Sequence, residues 1–535
     1  MNWKCGTSAL FGLLLICLAA GCSDRTSQTD LRPAEPSQPF TRDQGEIPWF
    51  DGTVEQAFAA AADQDKPVFL YWGAEWCPPC HELKATIFRR EEFIAQSQLF
   101  VPVYLDGDTQ RAQVYGESFG VLGYPTVIVF DPAGAEITRI PGGMDIQRYV
   151  SVLELALNAL RPVSQLLAAV ERDETLRDED WQLLASYAWD QDRGRVLGER
   201  ELYAVLSMLA RHCPENLEIA KSRLQLAAIG QWLSDEERDQ VLAATYKAEV
   251  AAVLARQSLW RANLNSWIYG GGDMVVSLAE GSEQRALQAQ IAGLLEALIE
   301  DEDLDLLTRI EAIFGWYEVQ RATLPEEGAL TDAQIAWTRE QIETARESLN
   351  SYQQHAALNV IAQLYFEMGL HEEARLAAEE GVRVSKQPYY FMSLLAYMER
   401  EAGNDDAALD WYRQAWESSR GPATRGQWGT NYLVALVELR PEALVLIEQT
   451  GEAVLGELAA QQDGLHHRNS ARMDRLSGRL LLWAGAVPED PPGTEDRREV
   501  LAQFRVSMDR LCDGEIAAGD AANTCATFLV EPNQA

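Results

Sequence analysis

Residues 67–89 read PVFLYWGAEWCPPCHELKATIFR: a short apolar run, two cysteines separated by two prolines, then apolar residues at helical spacing. Val68 to Trp72 is short, β-branched and aromatic, and is fenced by Pro67 and Gly73, which predicts a buried strand. Leu83, Ile87 and Phe88 are spaced to share one helix face. A Cys-x-x-Cys at a strand-to-helix junction has a physical purpose. Cys77 meets the helix N-terminus, where unpaired N–H groups and the dipole favour thiolate over thiol. Cys80, just under one turn on, is close enough to form a disulfide and expel whatever Cys77 has attacked. Prolines suit the first turn, which does not need their N–H groups. Paired cysteines also serve zinc sites and structural disulfides. Zinc requires a second ligand pair at matching spacing, and none follows nearby.

Working outward, residues 99–105 read as a second strand and residues 108–119 as a helix. Gly123-Tyr124-Pro125-Thr126 leads into a third strand over 127–130, residues 131–134 form a turn, 136–140 a fourth strand, and 145–160 a closing amphipathic helix. This order resembles the thioredoxin fold, and WCPPC with GYPT carries the resemblance. The stretches AEWCPPCHELKATIF and FGVLGYPTVIVFD are similar to the periplasmic thioredoxin domain of DsbD and its soluble kin, over roughly residues 48–160. GYPT also resembles protein disulfide isomerase. The resemblance implies a cis Tyr124–Pro125 bond against the cysteine pair and a substrate-binding surface of Trp76, Tyr124, Pro125 and Thr126. Two positions depart from it. The buried aspartate that thioredoxins carry six residues before the nucleophile is Tyr71 here, and the acid that DsbD-like domains carry four residues after the second cysteine is Lys84. Glu75 and Glu82 are the nearby carboxylates, each read as a solvated surface residue.

The composition narrows the partners. With 535 residues, 47% of them hydrophobic, the chain has material for several cores. Its 45 basic against 82 acidic residues exclude a counterion-replacing nucleic-acid surface and argue against adhesion to anionic lipid through a basic face. Lys4 precedes an apolar segment over 9–20, too short to span a bilayer comfortably, which ends Leu18-Ala19-Ala20-Gly21-Cys22 and resembles the bacterial lipobox. The resemblance implies cleavage before Cys22, a lipid on that cysteine and a place on the periplasmic side of a Gram-negative membrane, with Ser23 favouring the outer membrane. An ordinary cleaved leader with an incidental cysteine is the other reading. Pro33, Pro36 and Pro39 among polar residues make a solvated tether.

Of the eight cysteines, Cys512 and Cys525 are candidates for a structural disulfide, with Gly514 and Gly519 letting the chain fold back, or for a second redox pair. Cys213 reads as a buried apolar residue.

After residue 160 the strand signals stop. Amphipathic segments continue to the end, with breaks expected at Cys213-Pro214, Gly270-Gly271-Gly272, Leu324-Pro325 and Gln387-Pro388. One part repeats with an offset of 34: Gly369 with Gly403, Ala374 with Ala408, Gly381 with Ala415. These residues resemble tetratricopeptide repeats, and small residues at 369/403 and 374/408 are expected to let paired helices approach closely. The tryptophans here read as core, some of them as lining a peptide-binding face. His371 reads as a turn residue, His466 and His467 as a solvated pair, and the histidines form no metal pattern.

The fold class is therefore an α/β thioredoxin fold followed by an all-α helical-repeat region. The expected divisions are a leader over 1–21, a tether over 22–44, a thioredoxin-like domain over 45–162, an all-α domain over 163–350, repeats over 351–480 and a C-terminal segment over 481–535. The expected chemistry is thiol-disulfide exchange at Cys77 and Cys80, needing no cofactor or metal. The partners that the resemblance implies are protein thiols and disulfides of the envelope and a protein electron donor. The alternative is a repeat scaffold that uses the thioredoxin fold for docking. Reductase, isomerase and oxidase share these residues, so direction stays open.

Overall fold

The computed structural model describes residues 47–530, apart from 75–76, 78–79, 81–82, 85–86, 108, 122, 142–145, 158–160, 193, 236–237, 326–327, 351–352, 462–463, 466, 486–493 and 513–519. The leader, Cys22, the tether, Glu75, Trp76, Glu82, His466, Gly514 and Gly519 lie outside the described residues.

Four strands form one sheet: β1 (Val68–Gly73), β2 (Val101–Asp106), β3 (Thr126–Phe130) and β4 (Glu136–Pro141), in the order β2-β1-β3-β4. β1 runs parallel to β2, and β3 runs antiparallel to both β1 and β4. Every side chain of β1 is buried, which explains its unbroken apolar sequence: a central strand covered on both faces has no polar side. Val68, Leu70 and Trp72 pack with Val54, Ala57 and Ala61 of helix Val54–Gln64, whereas Phe69 and Tyr71 share a second layer with Phe88, Phe93, Tyr149 and Leu153. Helix Val54–Gln64 is an addition to the sequence reading. Its alanines give weak periodicity, but Thr53 and Gln56 cap each other reciprocally at its start.

The second layer does not stop at residue 162. Val163, Leu166 and Leu167 of helix Val163–Glu171 are fully buried and belong to the same apolar cluster as Phe69 and Tyr149, which continues through Tyr187 and Trp189 to Ala228.

The remainder is helical hairpins among the described residues, with no further strand. The glycine triplet does not break the chain. Helix Leu264–Leu278 runs through it because Gly271 and Gly272 face helix Leu306–Arg321. A Cβ on Gly271 would stand 3.0 Å from Val319, and one on Gly272 3.3 Å from the Glu318 carbonyl oxygen. The 34-residue repeat is real in the backbone. Helices Gln353–Glu367 and His371–Val384 pair as do Tyr389–Glu401 and Asp405–Ser418. Ala374, Ala408 and Ala415 are fully buried at the close approaches. Gly369 and Gly403 do something else: no atom lies near where their Cβ would be, and both are left-handed, at φ 75° and 76°. Each ends a helix in the same cap, Leu370 N donating to Tyr365 O and Asn404 N to Glu399 O. His371 opens its helix rather than forming a turn, edge-on to Phe366. Trp181, Trp232, Trp267 and Trp316 are buried in the cores.

Half-buried Glu311 on helix Leu306–Arg321 has its carboxyl pushed up to about 7 by burial. The folded state thus holds that proton more tightly than the unfolded chain does. Its stabilising contribution is full below the ordinary value of 4.5 and is lost as pH rises through 7. Melting temperatures at pH 5.5 and pH 8 are expected to favour the lower pH, and Glu311→Gln is expected to narrow that difference.

Candidate active site

Cys77 and Cys80 are joined by a disulfide with Cα atoms 5.2 Å apart. The chain turns out of β1 at Ala74, whose carbonyl receives Cys77 N at 3.3 Å. Cys80 N then donates both to Cys77 O at 3.1 Å and to Cys77 Sγ at 3.2 Å. That second bond is the local form of the helix N-terminus argument: an N–H aimed at the first sulfur stabilises it most when it is an anion. Both sulfurs are more covered than an exposed helix end would leave them, Cys77 being 2% exposed and Cys80 0%.

The cover includes Tyr124, which packs against Ala74, Cys77 and Cys80. Its peptide bond to Pro125 is cis. The phenol oxygen accepts from Gln113 Nε2 at 3.0 Å and donates to Gly107 O at 3.3 Å. Its ring occupies the place where Gly107 would carry a Cβ, which would lie 2.2 Å from ring carbon. A glycine is required there by close approach. Thr126 is buried, and its hydroxyl donates to Gly123 O at 2.8 Å across the turn. The fold therefore brings Cys77, Cys80 and Tyr124 together, and Pro125 and Thr126, next in the chain, are buried. Gln113 and Gly107 escaped the sequence reading, because their contacts with Tyr124 cross more than ten residues of chain.

Tyr71 stands where thioredoxins carry a carboxylate. It is fully buried, stacked on Tyr104 with centroids 5.4 Å apart and edge-on to Phe88 at 4.9 Å. Its hydroxyl reaches toward Gly73 and has no hydrogen-bond partner among the described residues, and burial raises its pKa far above the ordinary phenol value. The phenol stays protonated and holds that proton tightly, so it cannot take one as a carboxylate at this position would. Lys84 Nζ lies 4.6 Å from the Tyr104 ring centroid and donates to its hydroxyl at 3.4 Å.

The other cysteines differ in kind. Cys213 is buried, and burial pushes its thiol up to about 11, which makes it inert near neutral pH. Cys512, ending helix Thr494–Cys512, is bonded to Cys525 of helix Asp520–Thr527. Replacing both by serine is expected to cost about 3 kcal/mol of stability in this segment on the loop-entropy estimate, read as a lower denaturant midpoint. Among the described residues, no group of three His, Cys, Asp or Glu is placed to hold a metal ion.

Comparison with known proteins matches residues 54–157 to the family described as "Thioredoxin-like domain". The thiol:disulfide interchange protein DsbD of Yersinia pestis is 36% identical over 106 residues, covering 18% of this chain and 17% of that protein. The DsbD of Pseudoalteromonas atlantica is 30% identical over 101 residues, with the same coverage. The chain thus spans 17% of the length of these curated relatives. Among solved structures, a thioredoxin from Thermus thermophilus is 24% identical, covers 20% of this chain and 85% of its own, and has a TM-score of 0.19. A DsbH oxidoreductase is 22% identical, covers 24% and 96%, and has the same TM-score of 0.19. Residues 54–157 are a thioredoxin-like domain, and a large all-helical region follows it.

Proposed function

We propose that this protein is a thiol-disulfide oxidoreductase that reduces, and by the same thiolate isomerises, disulfides of envelope proteins. The observation that carries the reading is the Cys80 N–H aimed at Cys77 Sγ, with Cys80 within bonding reach and Tyr124 lying over the pair. In the reduced protein Cys77 is the nucleophile. Its thiolate attacks one sulfur of a substrate disulfide, forming a mixed disulfide and releasing the other substrate sulfur as a thiolate. Cys80, losing its proton, then attacks Cys77 Sγ, which frees the second substrate thiol and leaves Cys77 and Cys80 joined. Two electrons pass to the substrate, and a dithiol protein donor must return them. Trp76 and the backbone at Tyr124 and Pro125 hold the partner strand, with Thr126 fixing the turn behind them. The chain carries its own thiols and needs no cofactor.

The relatives' name, thiol:disulfide interchange protein, supports this class of chemistry. The lipobox-like residues at Cys22 support a lipid anchor on the periplasmic side of the outer membrane. No helix among the described residues is long and apolar enough to cross a membrane. The 34-residue periodicity supports tetratricopeptide-like repeats that bind partner proteins.

Equilibration in glutathione buffers, followed by alkylation and mass measurement, tests the reading. The Cys77–Cys80 pair is expected to titrate reversibly between roughly −270 and −180 mV, the span of thioredoxins, glutaredoxins and isomerases, while Cys512–Cys525 stays oxidised. A Cys77–Cys80 pair that resists reduction as Cys512–Cys525 does contradicts it.

A further inference from the structure

The guanidinium of Arg139, on edge strand β4, is fully buried. All five of its N–H donors are used. Nη2 donates to Phe119 O at 2.6 Å and to Glu136 Oε2 at 3.2 Å. Nη1 donates to Gly120 O at 3.0 Å and to Gln191 O at 3.1 Å, and Nε donates to Glu136 Oε1 at 3.1 Å. Glu136, 9% exposed, also receives Arg195 Nε at 3.1 Å, and Arg195 Nη1 donates to Ser118 O at 2.7 Å.

Two cations thus sit at the C-terminal end of helix Gln110–Ser118, where the helix dipole is negative: Arg195 on its last carbonyl, Ser118 O, and Arg139 on the two carbonyls that follow, Phe119 O and Gly120 O. One of them comes from the helical region. That region is also tied to β4 directly, by Ala188 N donating to Arg139 O at 3.3 Å. Its segment is stiffened by buried Asp192, which accepts from Tyr187 Oη at 2.5 Å, Val196 N at 2.9 Å and Leu197 N at 2.9 Å.

What this clamp holds is the frame of the redox pair. Gly120 lies four residues before Tyr124, and helix Gln110–Ser118 carries Gln113, which fixes the Tyr124 hydroxyl. Two of the supports of Tyr124, the chain entering it from Gly120 and the Gln113 side chain, therefore lead back to the Arg139–Glu136–Arg195 network. We infer that Arg139 and Arg195 are positioning residues through which the helical region sets Tyr124–Pro125 over the cysteine pair, and so sets the affinity for protein disulfides. The effect on affinity rests on the oxidoreductase reading; the effect on loop order does not.

The test uses the full chain with Arg195→Gln, Arg139→Lys and Arg139→Gln. Arg195 is 32% exposed, so its variant keeps the test alive if those at buried Arg139 do not fold. Hydrogen exchange is followed at amides 119–124 and 126 of the oxidised protein, Pro125 having none. KM and kcat are measured for insulin and for a small aromatic disulfide. In the variants that fold, exchange at amides 121–124 and 126, and KM for insulin, are each expected to rise about tenfold, with kcat and the small-disulfide rate within about twofold of the parent. A lowered melting temperature with parental exchange and parental KM overturns the inference and leaves a merely structural role. If exchange rises in the variants while the parent chain reduces neither disulfide, the positioning claim stands and the oxidoreductase reading falls.

Discussion

Replacing Cys77 by serine is expected to lower disulfide reduction on the order of 10³-fold or more, to the level of the uncatalysed exchange. The N–H of Cys80 that favours a thiolate at Cys77 cannot make a nucleophile of a serine hydroxyl, whose proton is far harder to remove. Cys80→Ser is expected to behave differently. Its first attack survives, so one equivalent of substrate thiol is released and the protein is left covalently joined to the other. Single-turnover reduction of insulin by the pre-reduced chain separates the two: no release with Cys77→Ser, a stoichiometric burst without turnover with Cys80→Ser. Equal activity of Cys77→Ser and the parent would remove Cys77 from the chemistry.

A fragment ending at residue 162 is expected not to fold cooperatively, although the thioredoxin-like match ends at residue 157. The sheet face that carries Phe69 and Tyr71 and the helix Ile146–Leu157 share one buried cluster with Val163, Leu166, Leu167, Tyr187 and Trp189. Each such side chain contributes roughly 1.5–3 kcal/mol by leaving water, and a domain is held by only about 5–15 kcal/mol in total. The fragment also loses Gln191 and Arg195, leaving part of the Arg139 and Glu136 network unpaired in the fold. A fragment extended to residue 234, which keeps the whole cluster, is expected to melt cooperatively by circular dichroism where the shorter one does not. Equal, sharp melts for the two would show that the core divides near residue 162.

The redox centre was legible because its chemistry is local. A strand, two cysteines and a helix start lie within 23 consecutive residues, and β1 is apolar throughout because both of its faces are covered. The 34-residue spacing was legible for a related reason: a left-handed cap at Gly369 and at Gly403 requires a residue without Cβ, so the backbone writes itself into the sequence. The purpose assigned to those glycines was the part that did not transfer, since close approach and positive φ both select glycine. The triplet at 270–272 failed the other way, where helix packing against Val319 and Glu318 overrode the breaking tendency. Arg139 was invisible. An arginine in the strand EITRIP reads as solvent-facing, and its partners lie as far as 52 residues away. Tyr71 showed as a departure from the thioredoxin pattern, yet only the fold reveals that it is a buried phenol without a hydrogen-bond partner among the described residues.

The most direct measurement uses the chain from Ser23 onward behind a cleaved export leader, carrying Cys80→Ser, expressed in the periplasm of its own host. Removal of the resolving thiol freezes the complex between Cys77 and whatever disulfide it attacks, and the joined partners can be isolated and identified under non-reducing conditions. A thiol-disulfide oxidoreductase predicts discrete protein partners that disappear when Cys77 is also replaced. No partner above the Cys77→Ser, Cys80→Ser background would contradict the account and leave the helical repeats as the working part of the molecule.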